Sequence, residues 1–323
     1  MKEEILKIPK VELHLHLDGS VRPSTAKELL GYDVTKKMQV DSEVTDLNDY
    51  LEKFTIPVSL MQTKENLERI SMELATDLKK ENVIYAEIRF APLKHLEKNL
   101  TPNEVIDSIL KGLRKVDIKT NLILCCIRGD SYENNKKVIE LTKSYLGKGV
   151  CAADLAGAEA LFKTKDYKEL FAYAKSLNVP FTIHAGEADG IESITSAINF
   201  GAKRLGHGVR AEEDKNTINT IINNNITLEV CPTSNINTGI FPSYQEHNIK
   251  RLYDLGVKVT INTDNRTVSN ITITEEYIKL QSAFNFTKED FYNMNLNAIN
   301  ASFITEEEKN ILRNKLSELN EKM

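Results

Sequence analysis

The sequence lacks several features that would point to particular classes of protein. No apolar run approaches membrane-spanning length, and residues 1–10 contain no signal-peptide core. A net charge of −5 over 323 residues gives no electrostatic footprint for nucleic acid or an acidic membrane surface. No linker, low-complexity stretch or repeat divides the chain, so we expect a single domain over residues 1–323. These absences predict a globular protein with no nucleic-acid and no membrane partner.

The cysteines are few and form no C-x-x-C pair. All four lie in apolar, strand-like runs: Cys125, Cys126, Cys151 and Cys231. Such cysteines are typical of buried, reduced thiols in a cytoplasmic protein rather than of disulfides or metal ligands. We therefore expect a cytoplasmic location and no cysteine coordination.

Short apolar runs rich in β-branched residues alternate with longer helical stretches. We predict strands at Val11–Leu17, Val83–Ala91, Asn121–Arg128, Gly149–Leu155, Val179–His184, Arg204–His207, Thr227–Cys231 and Lys258–Thr263. Helices are predicted at Thr63–Glu81, Asn103–Lys115, Ser131–Tyr145, Tyr167–Ser176 and Asn216–Asn223. Strands that are apolar throughout indicate a parallel sheet buried on both faces. Eight such units in this length favour an α/β fold of the (β/α)8 TIM-barrel type, with extra helices, over an open doubly wound sheet.

Histidine is also scarce, and four of the six histidines fall in three short motifs. These are E-L-H-L-H-L-D-G at 12–19, H-A-G-E at 184–187 and G-H-G at 206–208. A fourth motif, N-T-D-N at 262–265, has no histidine but ends a similar apolar run. Each motif lies at the C-terminal end of a predicted strand, where such barrels place their active sites. We therefore expect the four motifs to meet at one mouth of the barrel.

The residue types in these motifs suit a metal site. His14 and His16 are two apart on a strand, so both side chains leave the same face. An H-x-H pair alone often occurs by chance on a half-buried strand. Here His184 and Asp264 lie at the ends of other predicted strands, which favours a shared metal site. Three imidazoles and one carboxylate suit zinc, with a further position for water. Barrel hydrolases with two bridged metals usually need a lysine at the end of strand 4, and residues 153–157 contain none. One metal is the better prediction.

Two further side chains are candidates for moving protons. Glu187 follows His184 by three residues, and a buried glutamate near a metal is a natural proton donor because burial raises its pKa. The alternative is a carboxylate in the first turn of a helix. His207, between two glycines, is a fourth ligand, a base or a turn residue. Because Asp264 is the better hard ligand, we assign His207 to the proton of a metal-bound water.

The chain resembles the adenosine deaminase family of metal-dependent hydrolases. The matching stretches follow the family's order and cover most of the chain: Val11–Gly19, Asp154–Glu159, His184–Glu187, Gly206–Gly208, Glu229–Pro232 and Asn262–Asp264. The resemblance implies one Zn2+ per chain, held by His14, His16, His184 and Asp264. It implies that Glu187 protonates purine N1 and that His207 assists the attacking water. The substrate contacts that it implies are those of His16, Asp18 with the ribose 5′-hydroxyl, Gly157 with the purine, and the residue after Asp264.

The reaction implied by this resemblance is hydrolytic deamination of adenosine, and of 2′-deoxyadenosine, to inosine and ammonia. Zinc-activated water would attack C6 of the purine, in purine salvage or nucleoside metabolism. The expected partner is a small-molecule purine nucleoside, bound by a monomer or weak homo-oligomer. Many family members carry T-D-D, whereas this chain has Asn265 after Asp264. The second residue of the pair hydrogen-bonds purine N7, and an amide donates that bond without first being protonated.

Other substrates and one non-enzymatic alternative stay open. Adenine deaminases of the superfamily tend to have glutamate where this chain has Asp18, and AMP deaminases need basic residues for phosphate. A modified adenosine, or a nucleoside-binding relative without activity, is a further alternative. An apolar stripe has the spacing of one helical face, which is typical of a core helix but matches the family's hydrophobic lid: Leu47, Tyr50, Leu51 and Phe54.

Overall fold

The computed structural model describes residues 2–41 and 46–321. Within these residues the parallel strands are β1 Lys10–His16, β2 Val83–Phe90, β3 Lys119–Ile127, β4 Val150–Ala156, β5 Ile183–Ala185, β6 Arg204–His207, β7 Thr227–Val230 and β8 Lys258–Ile261. The helices before β4 are α1 Lys2–Lys7, α2 Pro23–Leu30, α3 Thr35–Met38, α4 Leu47–Glu52, α5 Thr55–Leu60, α6 Lys64–Lys80, α7 Pro102–Leu113 and α8 Tyr132–Tyr145. Those after β4 are α9 Lys168–Ser176, α10 Ile191–Phe200, α11 Lys215–Asn223, α12 Pro232–Asn237, α13 Ile249–Asp254, α14 Ile273–Phe284, α15 Lys288–Ala301 and α16 Glu306–Glu321.

The strands close into a barrel. Strands β1 to β4 pair in sequence order, and so do β5 to β8. The two halves are joined on one side by a bridge between Ala153 and Phe181 and on the other by one between Leu15 and Asp264. The backbone N–H of His16 donates to the Asp264 carbonyl at 2.7 Å across the second seam. The predicted (β/α)8 barrel is therefore confirmed.

The apolar runs form the inner wall, and capped helices cover it. Every residue of β2 and β4 is buried, as expected for parallel strands between an interior and a helical layer. Helix α6 begins after Thr63, whose side chain accepts from the Asn66 N–H, and α7 begins with a complete capping box at Thr101. The predicted helices lie within two residues of the observed bounds. No helix in the described part of the chain is long and apolar enough to cross a bilayer.

One predicted strand is wrong in its bounds. The sequence predicts Val179–His184, but β5 covers Ile183–Ala185. The residues before it form backbone hydrogen bonds with Ala153 of β4, whose N–H donates to the Pro180 carbonyl at 2.9 Å and whose carbonyl accepts from the Thr182 N–H at 3.0 Å. Since Pro180 has no N–H, a regular ladder cannot continue through it.

Candidate metal-dependent active site

The residues predicted to act on substrate line one cavity at the C-terminal ends of the strands. Its volume is about 290 Å3, close to the lower end of the usual range for small-molecule sites. The predicted residues that line it are His16, Asp18, Gly157, His184, Glu187, His207, Asp264 and Asn265. The remaining predicted residue, His14, is fully buried. Motifs that lie up to 250 residues apart in the chain therefore meet at one mouth.

The four predicted metal ligands converge. His16 Nε2 lies 3.3 Å from His184 Nε2, and Asp264 Oδ1 lies 3.4 Å from His16 Nε2 and 3.3 Å from His14 Nε2. All four ligand atoms fall within 4.8 Å of one another. The buried Nε2 of His14 has no hydrogen-bond partner. A buried, unpartnered nitrogen facing a carboxylate oxygen and two further imidazoles fits a metal ligand.

Two buried carboxylates hold the opposite sides of these imidazoles. His14 Nδ1 lies 2.9 Å from Glu229 Oε2, and His184 Nδ1 lies 3.0 Å from Asp154 Oδ2. A carboxylate at Nδ1 fixes the tautomer and aims Nε2 at the metal position. On the aspartate side, the Ser234 hydroxyl donates to Asp264 Oδ2 at 2.6 Å, which leaves Oδ1 for the cluster.

A second, overlapping group of side chains could also hold a metal. It consists of His14, His207, Cys231 and Asp264, and it shares two members with the first group. The Cys231 thiol donates to the Glu229 carbonyl at 3.4 Å, and burial raises the pKa of this thiol well above its usual range. A thiol that stays protonated is a poor ligand. We therefore favour the first group, which is the set of side chains that the sequence predicts for the metal.

Two buried arginines lie beneath the cluster inside the barrel. Arg89 pairs with Asp154 at 3.0 Å and with Glu229 at 2.7 Å, while Arg204 pairs with Glu229 at 2.6 Å and with Glu87. Burial alone would raise the pKa of Glu229, but the two arginines outweigh it and hold that pKa well below its usual range. Glu229 is therefore charged when it accepts the His14 N–H.

Two functional residues have an unusual backbone. His207 and Asp264 have φ angles of 61° and 60°, a region that residues other than glycine rarely occupy. His207 is the last residue of β6, and Asp264 follows the end of β8 by three residues. In both places the left-handed residue turns the chain beside the cavity. Such backbone conformations cluster at functional sites because the surrounding structure must hold them.

The loop that carries Glu187 is fixed by a second glutamate. The Glu159 carboxylate accepts the backbone N–H groups of Gly186 at 2.7 Å and of Glu187 at 3.0 Å, and it also accepts from the Ser193 hydroxyl. The Glu187 carboxyl itself accepts one long hydrogen bond, at 3.5 Å, from the Thr238 hydroxyl, and its Oε2 lies 3.4 Å from His207 Nε2. Burial, together with the nearby charges of Asp264 and Glu159, raises the pKa of Glu187 well above its usual range. Glu187 can therefore hold a proton at neutral pH.

His207 lies between Glu187 and the metal cluster. Its Nε2 is 3.4 Å from Glu187 Oε2 and 3.9 Å from Asp264 Oδ2. Its Nδ1 contacts the Nδ2 amide of Asn235 at 3.0 Å. Burial is the largest cause that lowers the pKa of His207, so the ring is neutral.

The predicted substrate contacts lie along the same cavity. Burial raises the pKa of Asp18 to about 6. Gly157, with φ of 105°, ends β4 in a conformation that suits glycine. Asn265 packs against Gly19 so closely that a Cβ at Gly19 would lie 1.9 Å from Asn265 Oδ1. That oxygen has no hydrogen-bond partner.

The apolar stripe lines the cavity rather than the core alone. Leu47, Tyr50, Leu51 and Phe54 are all among its lining residues. Helix α4 ends at Glu52, so Phe54 lies just beyond it, before α5. The Tyr50 hydroxyl bonds the Ser269 hydroxyl at 2.7 Å and anchors this side of the cavity.

Sequence reasoning missed the residues that support the site. No individual role was assigned from the sequence to the carboxylates and arginines that support the predicted site residues: Arg89, Asp154, Glu159, Arg204 and Glu229. For Arg89, Asp154 and Glu229 the usable signal was a charged residue within an apolar strand, since such residues are rarely buried unless paired. Asn235 gave no signal of this kind, because polar amides are common near strand ends.

Comparisons with known proteins agree with this geometry. The family model of adenosine deaminase matches residues 9–319. An adenosine deaminase of Clostridium perfringens is 45% identical over 325 residues, which cover 96% of this chain and 98% of the relative.

Solved structures share the fold. An Arabidopsis N6-mAMP deaminase has a TM-score of 0.87 at 26% identity, with 98% of this chain and 99% of that chain covered. An amidohydrolase of Burkholderia ambifaria with bound Zn has a TM-score of 0.86, but at 20% identity it shows the fold alone; 99% of this chain and 92% of that chain are covered. The chain therefore belongs to the adenosine deaminase family, whose reaction is the hydrolytic deamination of adenosine.

Proposed function

We propose that this chain converts adenosine, and 2′-deoxyadenosine, to inosine and ammonia with one Zn2+ per chain. The observation that carries this proposal is that a buried acid and three of the four assigned metal ligands line one cavity of about 290 Å3, with the fourth ligand buried beside them. The ligands assigned to the ion are His14, His16, His184 and Asp264. When bound, zinc would polarise a water molecule and lower its pKa.

Glu187 is assigned as the general acid. Its neutral carboxyl gives a proton to purine N1, which draws electrons from C6 and makes that carbon electrophilic. Water then adds to C6 to form a tetrahedral intermediate, and the C6–N bond breaks. One proton of the water replaces the proton that Glu187 gave to N1, and the other leaves with the amine as ammonia.

The base and the sugar are held by the residues around this centre. Asp18 is assigned to the ribose 5′-hydroxyl, the Gly157 backbone to the purine, and the Asn265 amide to purine N7. His16 also contacts the substrate. The apolar side chains of the stripe that begins at Leu47 cover the opposite side and exclude water.

The charge of the cavity supports a nucleoside rather than a nucleotide. Among the described residues, Arg128 is the single arginine or lysine that lines it. Both terminal nitrogens of Arg128 already donate, to the Phe162 and His184 carbonyls and to the Thr164 hydroxyl. A phosphate would find no free guanidinium fork there.

A substrate competition tests this choice. Zinc-loaded protein is given adenosine, 2′-deoxyadenosine, adenine, AMP and N6-methyl-AMP, and the ultraviolet change of deamination is followed for each. We expect turnover of the two nucleosides and little of the base or the nucleotides. Preferred turnover of AMP or N6-methyl-AMP would contradict the nucleoside assignment. Binding of adenosine without turnover would favour the non-catalytic alternative.

The wider setting is part of the same proposal. We infer a cytoplasmic enzyme of purine salvage, folded as one domain and acting as a monomer or weak homo-oligomer. These points stay predictions. Sedimentation of the purified chain measures the oligomeric state.

A further inference from the structure

His247 is one of the two histidines that lie outside the sequence motifs. In the structure it lies behind His207, with one side chain between them. His247 Nε2 contacts Asn235 Oδ1 at 3.2 Å, and Asn235 Nδ2 contacts His207 Nδ1 at 3.0 Å. His207, His247 and Asn235 are all buried. The three side chains form a chain of hydrogen bonds that ends at the cavity, which His207 lines.

At the end of these contacts that lies away from the cavity, the hydrogen-bond donor and acceptor are fixed. The backbone N–H of Ile249 donates to His247 Nδ1 at 3.1 Å. Ile249 is the first residue of α13, where backbone N–H groups have no partner within the helix. His247 Nδ1 must therefore be an acceptor and carry no proton. Burial lowers the pKa of His247 to about 3, so the ring is neutral and its one proton is on Nε2.

The donor and acceptor roles at His247 determine those at His207, because the Asn235 amide bonds both rings. An N–H at His247 Nε2 requires the oxygen of Asn235 on its side, which leaves the Asn235 N–H for His207 Nδ1. We propose that this relay from Ile249 through His247 and Asn235 locks His207 in the tautomer with its proton on Nε2. His247 and Asn235 are then positioning residues for the reaction.

The locked tautomer has a chemical consequence at the cavity. Nε2 of His207 faces the acceptor-only carboxylate of Asp264 and lies 3.4 Å from Glu187 Oε2. A lone pair at this nitrogen would compete with purine N1 for the proton of Glu187. An N–H there leaves the Glu187 proton for the substrate and donates a hydrogen bond toward the attacking water. His207 would then orient that water without taking up its proton, which departs from the role that the sequence predicts. This step rests on the proposed function, because it assumes that Glu187 is the acid.

The direct test is the tautomer in unmodified, zinc-loaded protein. A long-range proton–nitrogen correlation spectrum with labelled histidine distinguishes protonated from bare ring nitrogens, and the chain has six histidines to assign. We expect bare Nδ1 and protonated Nε2 in both His207 and His247. A protonated Nδ1 in His207 would overturn the inference even if the enzyme is fully active. An inactive protein with the expected spectrum would overturn the proposed function but not the relay.

Variants test whether the relay matters for turnover. In His247→Leu the Asn235 amide is free to turn, so we expect mixed His207 tautomers and kcat reduced about 10–100-fold, with unchanged zinc content. KM should stay within about twofold, because the substrate contacts remain. His247→Gln keeps an N–H donor for Asn235 and should recover much of kcat. The matched control is His95→Leu, which removes the other buried histidine outside the motifs.

Unchanged kcat and a single His207 tautomer in folded His247→Leu would contradict the relay. Equal loss of kcat in His95→Leu would also contradict it, since the effect would then be general. If His247→Leu does not fold, the spectrum of the unmodified protein decides the question.

Discussion

At the scale of single residues, two neighbouring buried glutamates have different surroundings. Glu159 accepts several short hydrogen bonds from N–H and hydroxyl donors, whereas Glu187 has only long contacts, with the Thr238 hydroxyl at 3.5 Å and with His207 Nε2 at 3.4 Å. Donors stabilise a carboxylate, and burial without donors favours the neutral acid. The chain therefore uses one carboxyl to hold the loop and keeps the other protonated for chemistry.

Replacing Glu187 by glutamine should remove the acid and keep the shape. We expect kcat to fall about 100- to 10,000-fold, because an amide cannot give its proton to N1. The control is Glu192→Gln on α10, whose carboxylate pairs at the surface with Lys165. Steady-state assays of both variants at equal zinc content make the comparison. Full activity in Glu187→Gln would refute the acid role.

At the scale of elements, several strands each contribute a different part of the site. Strand β1 supplies two imidazoles through its two-residue period, while β4 and β7 supply the carboxylates behind them. The register therefore decides whether Asp154 and Glu229 reach His184 and His14. A shift of one residue would turn both carboxylates away.

Asp154→Asn should weaken metal binding. The amide can still meet His184 Nδ1 but carries no charge, so we expect zinc affinity to fall about 10–100-fold. A competing chelator measures the affinity. The control is Asp77→Asn, which removes a carboxylate that pairs with Arg22 on the outer side of the barrel. Equal affinities in the unmodified protein and Asp154→Asn would show that the carboxylate does not support the ligand.

Gly19→Ala should raise KM with little change in zinc content. A Cβ at Gly19 would overlap Asn265 Oδ1 at 1.9 Å, so the amide must leave its position in the cavity. Gly190→Ala is the matched control, because the nearest neighbour of its added Cβ is a Glu213 carboxylate oxygen at 3.7 Å. A KM for adenosine that stays the same in Gly19→Ala would remove Asn265 from the substrate contacts.

The sequence predicts the barrel and the convergence of the motifs because both follow from local patterns. Apolar runs mark the strands, and the few histidines lie at strand ends. The relay could not be predicted, since Asn235 on α12 and His247 just before α13 contact each other and His207 only in the folded chain. The pairing of Arg89 with Asp154 and Glu229 also depends on closure of the barrel, which no local pattern contains.

At the scale of the whole molecule, buried neutral histidines make stability depend on pH. Burial lowers the pKa of His95 to about 4. The folded protein keeps His95 neutral below pH 6.5, while the unfolded chain takes up a proton there. The unfolded state then binds more protons, so the free energy of unfolding falls as the pH falls from 6.5 toward 4.

His95→Leu isolates this contribution. Because the pKa of His95 is lowered to about 4 in the folded protein, we expect this residue to cost the unmodified protein up to about 3 kcal/mol of stability between pH 6.5 and 4. The variant should lack that part of the slope. Urea unfolding at several pH values measures both curves. Parallel curves would mean that His95 is not held neutral in the folded state.

The central claim is that this protein deaminates adenosine and needs one metal ion, held at the mouth of the barrel, to do so. Metal-free protein titrated with Zn2+, with the ultraviolet change from adenosine to inosine followed at each step, tests it most directly. We expect activity to rise from zero in proportion to added zinc and to stop rising at one ion per chain. Activity that persists without metal, that never appears, or that requires a second ion would contradict the account.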